Sequence, residues 1–218
     1  MKHLLTTVLS LFLMTTSVVV YGEIDYLQIL FPNPEGLVFR DGLYYKKFTD
    51  VPFTGVVSEG RSRGKLKNGI KQGTWVNYHE NGQLRSKGSY VDGKKEGKWV
   101  EYHENGHLDK KEIWVDGKEN GEYVSYYKHG QLKAKATLID GKMNGERVLY
   151  FVNGQLSMKG NFVDGKPEGE HVSYYSNRQL WTKGNYVNGV EEGRWVYYNE
   201  DGSIDQEKTG FYKNGVKQ

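Results

Sequence analysis

Of the six histidines in the chain, five lie beyond residue 22: His79, His103, His107, His129 and His171. Such residues could hold a metal or move a proton, but their spacing argues against both. His79 and His103 stand 24 residues apart at equivalent places of a repeated pattern. On an antiparallel sheet such places lie two strands, roughly 9 to 10 Å, apart. A shared ion needs bonds of about 2.0 to 2.1 Å, so the pair reads as polar substitutes in a half-exposed column. Asp92, Asp116, Asp140 and Asp164 each precede a glycine and offer one carboxylate per turn, where calcium takes about six to eight oxygens. The chain has no cysteine, hence no disulfide, thiolate site or cysteine nucleophile. The P-loop is absent, and the Gly-rich segments follow turns rather than opening helices. Acidic and serine residues near the turns belong to turn chemistry. The expectation is a protein that is not an enzyme, with no cofactor and no metal.

Two columns of residues could bind rather than catalyse. Lys87, Lys111, Lys135, Lys159 and Lys183 recur beside a tyrosine column, a stripe able to attract anionic lipid headgroups or acidic glycans. The plainer reading is a solvated rim of charge that stops a long sheet from stacking on itself. Aromatic residues in the variable columns are the better candidates, because repeat proteins present a changing face on a constant frame. These are Tyr127, Phe151 and Tyr175 at the seventh place of their units and Trp181 at the thirteenth, beside the anomalous Arg178. Aromatic and arginine side chains at a surface are typical anchors for a partner. Packing within the sheet itself is the competing reading.

The elements that must position these residues are written in the repeat. From Gly73 onward six units begin at Gly73, Gly97, Gly121, Gly145, Gly169 and Gly193. Their fourth residue is always Val (Val76 to Val196) and their sixth always Tyr (Tyr78 to Tyr198). Each holds an inner turn pair such as Asn81-Gly82 and a closing pair such as Asp92-Gly93. Asn-Gly and Asp-Gly suit type I′ turns, so one unit is one hairpin. The fold class is all-β: an elongated, solenoid-like antiparallel sheet of β-hairpins with a 24-residue period. Composition agrees, with 28 Gly, 17 Tyr and 5 Trp in 218 residues and 4 Pro. Basic and acidic residues number 30 and 27, which gives no footprint for nucleic acid.

A two-residue loop at Asn81-Gly82 sets His79 against Leu84, Tyr78 against Arg85 and Trp75 against Gly88, whose missing side chain leaves room for the indole. It places Trp75, His79 and Leu84 on one face and Val76, Tyr78 and Lys87 on the other, and Trp181 opposite Tyr174. A three-residue bulged loop would reassign these faces.

The first residues stand apart. Met1-Lys2-His3 is basic, Leu4 to Val20 is apolar, and Val20-Tyr21-Gly22 resembles a cleavage site. Residues 1–22 read as a signal peptide, with an uncleaved anchor as the alternative. The organisation is then 1–22 signal peptide, 23–72 lead-in and degenerate first repeat, and 73–218 six hairpin repeats. The location expected is export, to the periplasm or beyond.

The unit G-x-W-V-x-Y-x-x-N-G-x-L-x-x-K-G-x-Y-x-x-G-K-x-x-G resembles the MORN repeat variant. Bacterial chains of this kind are commonly labelled YwqK-family antitoxins, whose lead-in Arg40-Asp41-Gly42-Leu43-Tyr44-Tyr45 and Pro52-Phe53-Thr54-Gly55 resemble. The resemblance implies a MORN-like sheet and a binding scaffold with an antitoxin or immunity-like role. Its partner would be a toxin-like protein met outside the cytoplasm. A membrane surface or glycan is the alternative partner. Arg178 in place of a turn glycine, and Arg147 and His171 in the tryptophan column, depart from the pattern.

Overall fold

The computed structural model describes residues 36–58 and 60–218. The expected signal peptide, 1–22, lies outside the described residues, as does the start of the lead-in. The chain forms two compact units divided between Ile70 and Lys71. The first contains β1 (Leu37–Arg40), β2 (Leu43–Lys46), β3 (Gly55–Val57) and β4 (Ser62–Lys67). β1 pairs with β2 and β3 with β4, both antiparallel. Asp41 and Gly42, with φ of 51° and 79°, turn the first hairpin. Val57 of β3 and Leu66 of β4 are the buried aliphatic residues of this unit.

All but the first residue of β5 (Ile70–Tyr78) belongs to the second unit, followed by β6 (Leu84–Val91), β7 (Lys94–Tyr102), β8 (Leu108–Val115), β9 (Lys118–Glu119) and β10 (Gly121–Tyr126). Then come β11 (Leu132–Ile139), β12 (Lys142–Met143), β13 (Gly145–Tyr150), β14 (Leu156–Val163) and β15 (Lys166–Tyr174). β16 (Leu180–Val187), β17 (Val190–Tyr197), β18 (Gly210–Lys213) and β19 (Val216–Lys217) complete it. Successive long strands pair antiparallel throughout, so the architecture is the open sheet of hairpins expected. Among the described residues there is no α-helix.

The two turns of each unit are different. Closing pairs are type I′: Asp92 and Gly93 have φ of 47° and 81°, and Asp116, Asp140, Asp164 and Asn188 repeat this with their glycines. Inner pairs are not, which corrects the sequence reading. Asn81 keeps negative φ and only Gly82, at 82°, is left-handed. Gly82 N–H donates to the His79 carbonyl and His79 N–H to that of Gln83. This is a three-residue loop, a type I turn closed by a glycine bulge. Asn81 Oδ1 accepts from the Gln83 N–H at 3.0 Å, and its Nδ2 donates to the Glu104 carbonyl in the next unit at 2.6 Å.

The longer loop moves Leu84 opposite Tyr78, away from the tryptophan face. One extra residue, Arg85, then slips the register back, so Asn77, Val76 and Trp75 face Ser86, Lys87 and Gly88. The two irregularities cancel. In the fifth unit the extra residue is Trp181, which therefore has no partner opposite it: Tyr174 pairs with Leu180 and Ser173 with Thr182.

A second irregularity builds the core. Between β6 and β7 the single residue Gly88 faces three, Gly97 to Trp99. Gly97, at φ 69°, supplies the left-handed corner. The bulge brings the Trp99 indole over Gly88, so close that a Cβ there would lie 2.1 Å from Cδ2. The space left by Gly88 is thus filled by the indole of the following unit rather than by its register partner Trp75. Gly184 receives Trp195 in the same way, at 2.0 Å, and Gly160 receives the His171 ring at 2.8 Å. Trp75, Trp99 and Trp195 are 1 to 3% exposed, so this face is the better buried. Tyr90 packs edge-on against Trp75 and Trp99, and Lys95 lies over Trp99 and Trp114.

Candidate binding groove

In the first five units the seventh residue follows a strand end, and in four of them its side chain ties one unit to the next. His79 Nε2 is 2.7 Å from the Tyr102 carbonyl and His103 Nε2 is 3.1 Å from that of Tyr126. Tyr127 and Tyr175 donate their hydroxyls to the carbonyls of Tyr150 and Tyr198 at 2.8 and 2.9 Å. The two histidines are therefore stitches between units. Among the described residues no group of three or more His, Asp or Glu is placed to hold a metal ion.

In the second, third and fifth units the thirteenth residue, free of a cross-strand partner, leans over the seventh of its own unit. Asp109 is 3.4 Å from His103 Nε2. The Lys133 ammonium lies 5.7 Å from the Tyr127 ring centre, and Trp181 lies 6.2 Å from Tyr175. In the fourth unit the pair is Ser157 and Phe151: serine is too short to cover the ring, and phenylalanine has no hydroxyl to stitch with. An open groove of about 530 Å³ lies there, lined by Phe151, Ser157, Met158, Tyr175, Trp181 and Glu200 among others.

Three of the five residues singled out from sequence, Phe151, Tyr175 and Trp181, thus come together. Tyr127 does not line the groove. Arg178 does not line it either; it holds the left-handed position of the inner turn, with φ of 75° where the other units have glycine. Arg178 Nε lies 2.9 Å from the Gln155 side-chain oxygen. Met158, Ser157 and Glu200 were missed. The only signal for Ser157 was its smallness in a column that elsewhere holds Arg85, Asp109, Lys133 and Trp181.

The lysine column lies on the opposite face, and three of its five members are paired. Lys135, Lys159 and Lys183 meet Glu122, Glu146 and Glu170 at 3.0, 2.7 and 2.6 Å. Those hydrogen bonds raise the three ammonium pKa values. A buried carboxylate, Glu112 at 2% exposure, takes the column place of Gly88. Lys110 Nζ and Trp114 Nε1 donate to it at 2.5 and 2.9 Å. Burial alone would lower the Lys110 pKa, but Glu112 and Glu101 raise it overall, so the site is a closed structural ion pair.

No curated protein matches the chain. Three segments, residues 71–92, 95–116 and 119–140, each match the MORN repeat variant, and this is the family to which the first half of the repeat region is similar.

Proposed function

We propose that the chain is a non-catalytic, exported scaffold that binds a protein partner through the groove between Phe151 and Trp181. MORN repeats generally act in scaffolds that bind proteins or membrane lipids. The observation that favours a protein is the groove itself: aromatic residues from variable columns meet there, and Trp181 keeps 45% of its surface exposed. Aromatic side chains on an open concavity are what a protein contact uses. The lysine column offers lipid or glycan less, because glutamates already neutralise it in three units. The resemblance to YwqK-family antitoxins narrows the partner to a toxin-like protein met outside the cytoplasm.

The test is capture from extracts of the native cells on immobilised wild type, Trp181→Ala and Lys159→Glu. A protein retained by wild type and Lys159→Glu but lost from Trp181→Ala, with an unchanged melt, supports the reading. The loss expected is ~2 kcal/mol or more, about thirtyfold in affinity. Unchanged capture by Trp181→Ala overturns it. Binding to anionic vesicles that Lys159→Glu abolishes points to the lipid alternative instead.

A further inference from the structure

The neighbouring units show what the groove lacks. In each of the second, third and fifth units, the thirteenth side chain covers the seventh ring: Asp109 on His103, Lys133 on Tyr127, Trp181 on Tyr175. The fourth unit has the ring, Phe151, and nothing to cover it, since Ser157 ends at its hydroxyl. One unit earlier the equivalent space above Tyr127 is filled by an ammonium group. The sheet uses the same arrangement elsewhere, with Lys95 at 4.5 and 4.2 Å from the ring centres of Trp99 and Trp114. Aromatic faces attract cations through the ring quadrupole, more so when partly desolvated.

Charge at the groove points the same way. Its lining holds one carboxylate, Glu200, and no lysine or arginine. Glu200 has no ion pair among the described residues. The cation whose field reaches Tyr175 is Lys208, which is held by Asp205 at 3.0 Å. Phe151, Tyr175 and Trp181 therefore line the groove with an unpaired carboxylate beside them and no cation of the protein's own. Ser157, Ser173 and Ser176 add hydroxyls that can accept hydrogen bonds.

We propose that the groove is a receptor for a cationic side chain, an arginine or lysine carried by an extended segment of the partner protein. The head group sits over Phe151 in the space that Lys133 fills above Tyr127, flanked by Trp181 and drawn by Glu200. This rests on the reading of the groove as a protein-binding site and assigns the chemistry of the residue that enters it.

The test uses the purified chain and two short probes, acetyl-Gly-Arg-Gly-amide and its neutral isostere acetyl-Gly-citrulline-Gly-amide. Binding is followed by the Met158 methyl signal in NMR, since Met158 lines the groove. The arginine peptide should shift that signal saturably and bind about tenfold more tightly than the citrulline peptide, as a partly desolvated cation–π contact implies. Glu200→Gln should weaken the arginine peptide alone. Ser157→Lys should abolish binding by filling the groove from within, with no loss in the melting temperature. Equal binding of the two peptides, no shift with either, or undiminished binding to Ser157→Lys overturns the proposal. Those results leave the capture experiment untouched, because a partner lost from Trp181→Ala can dock through an apolar residue. If Ser157→Lys does not fold, Glu200→Gln and the peptide comparison still decide.

Discussion

Replacing Gly184 by alanine isolates the contact on which the sheet is built. The backbone at Gly184 is not left-handed, so alanine brings no conformational penalty and the whole effect is steric. The added Cβ would lie 2.0 Å from Cδ2 and 2.3 Å from Cε2 of Trp195, whereas carbon atoms prefer about 3.5 to 4.0 Å. Trp195 cannot simply tilt away. It is 1% exposed, its Nε1 donates to the Asn185 carbonyl at 3.1 Å, and Tyr186 packs against it at 4.8 Å. Overpacking that the surroundings absorb costs about 1 to 3 kcal/mol. Expelling the ring approaches the ~3 to 5 kcal/mol of a truncated core aromatic. The expectation is a loss of about 2 to 4 kcal/mol, read in urea unfolding by near-ultraviolet circular dichroism. Gly193→Ala is the control: it has φ of 75° but nothing within 4 Å of the added carbon, so only a strain of about 1 to 2 kcal/mol is expected. Trp195→Leu should restore part of the loss in Gly184→Ala, giving a coupling of at least about 1 kcal/mol. If Gly184→Ala is no worse than Gly193→Ala, or the two changes simply add, the glycine is not there to seat the indole.

Arg178→Gly should stabilise the protein by about 1 kcal/mol in a thermal melt, because it removes a side chain from the left-handed region and loses only an exposed contact with Gln155. His171 gives a pH dependence. Burial lowers its pKa below the ordinary 6.5, so the unfolded chain binds the proton first as pH falls. Its contribution is fully present above about pH 6.5 and is lost as pH drops through the lower folded value. The fall in melting temperature from pH 7 to 5 should therefore be smaller in His171→Gln than in wild type. An identical fall would refute the assignment.

How far these features could be read from sequence depends on which atoms decide them. Asp92-Gly93 was legible as a type I′ turn because its two residues accept positive φ and the strands on either side demand it. Asn81-Gly82 has the same chemistry and a different turn, since asparagine is equally content at negative φ when its side chain closes on the Gln83 N–H. The register at Trp75 and Gly88 was read correctly through two compensating errors, the longer loop and the extra Arg85. The aromatic members of the groove stood out because they vary within regular columns. Ser157 did not, because a short side chain matters only once its neighbours are known to lean across the same place. Tyr127 belonged to the same column as Phe151 but spends its hydroxyl on Tyr150 and its face on Lys133.

The seating of the Trp99 and Trp195 indoles on the glycine of the preceding hairpin gives the array a direction. A hairpin offers a socket to its successor and a plug to its predecessor, and the two must match in size. Trp99 and Trp195 require glycine in front of them; the buried Glu112 stands where a third such socket would be. The interchangeable module is therefore not the stretch from one Gly73-type residue to the next, which separates Gly88 from Trp99. It is the stretch that keeps both, cut within the strand after the indole. A hairpin duplicated or transplanted in that frame carries its own fitted joint, whereas one cut at the turns inherits whatever plug its new neighbour presents.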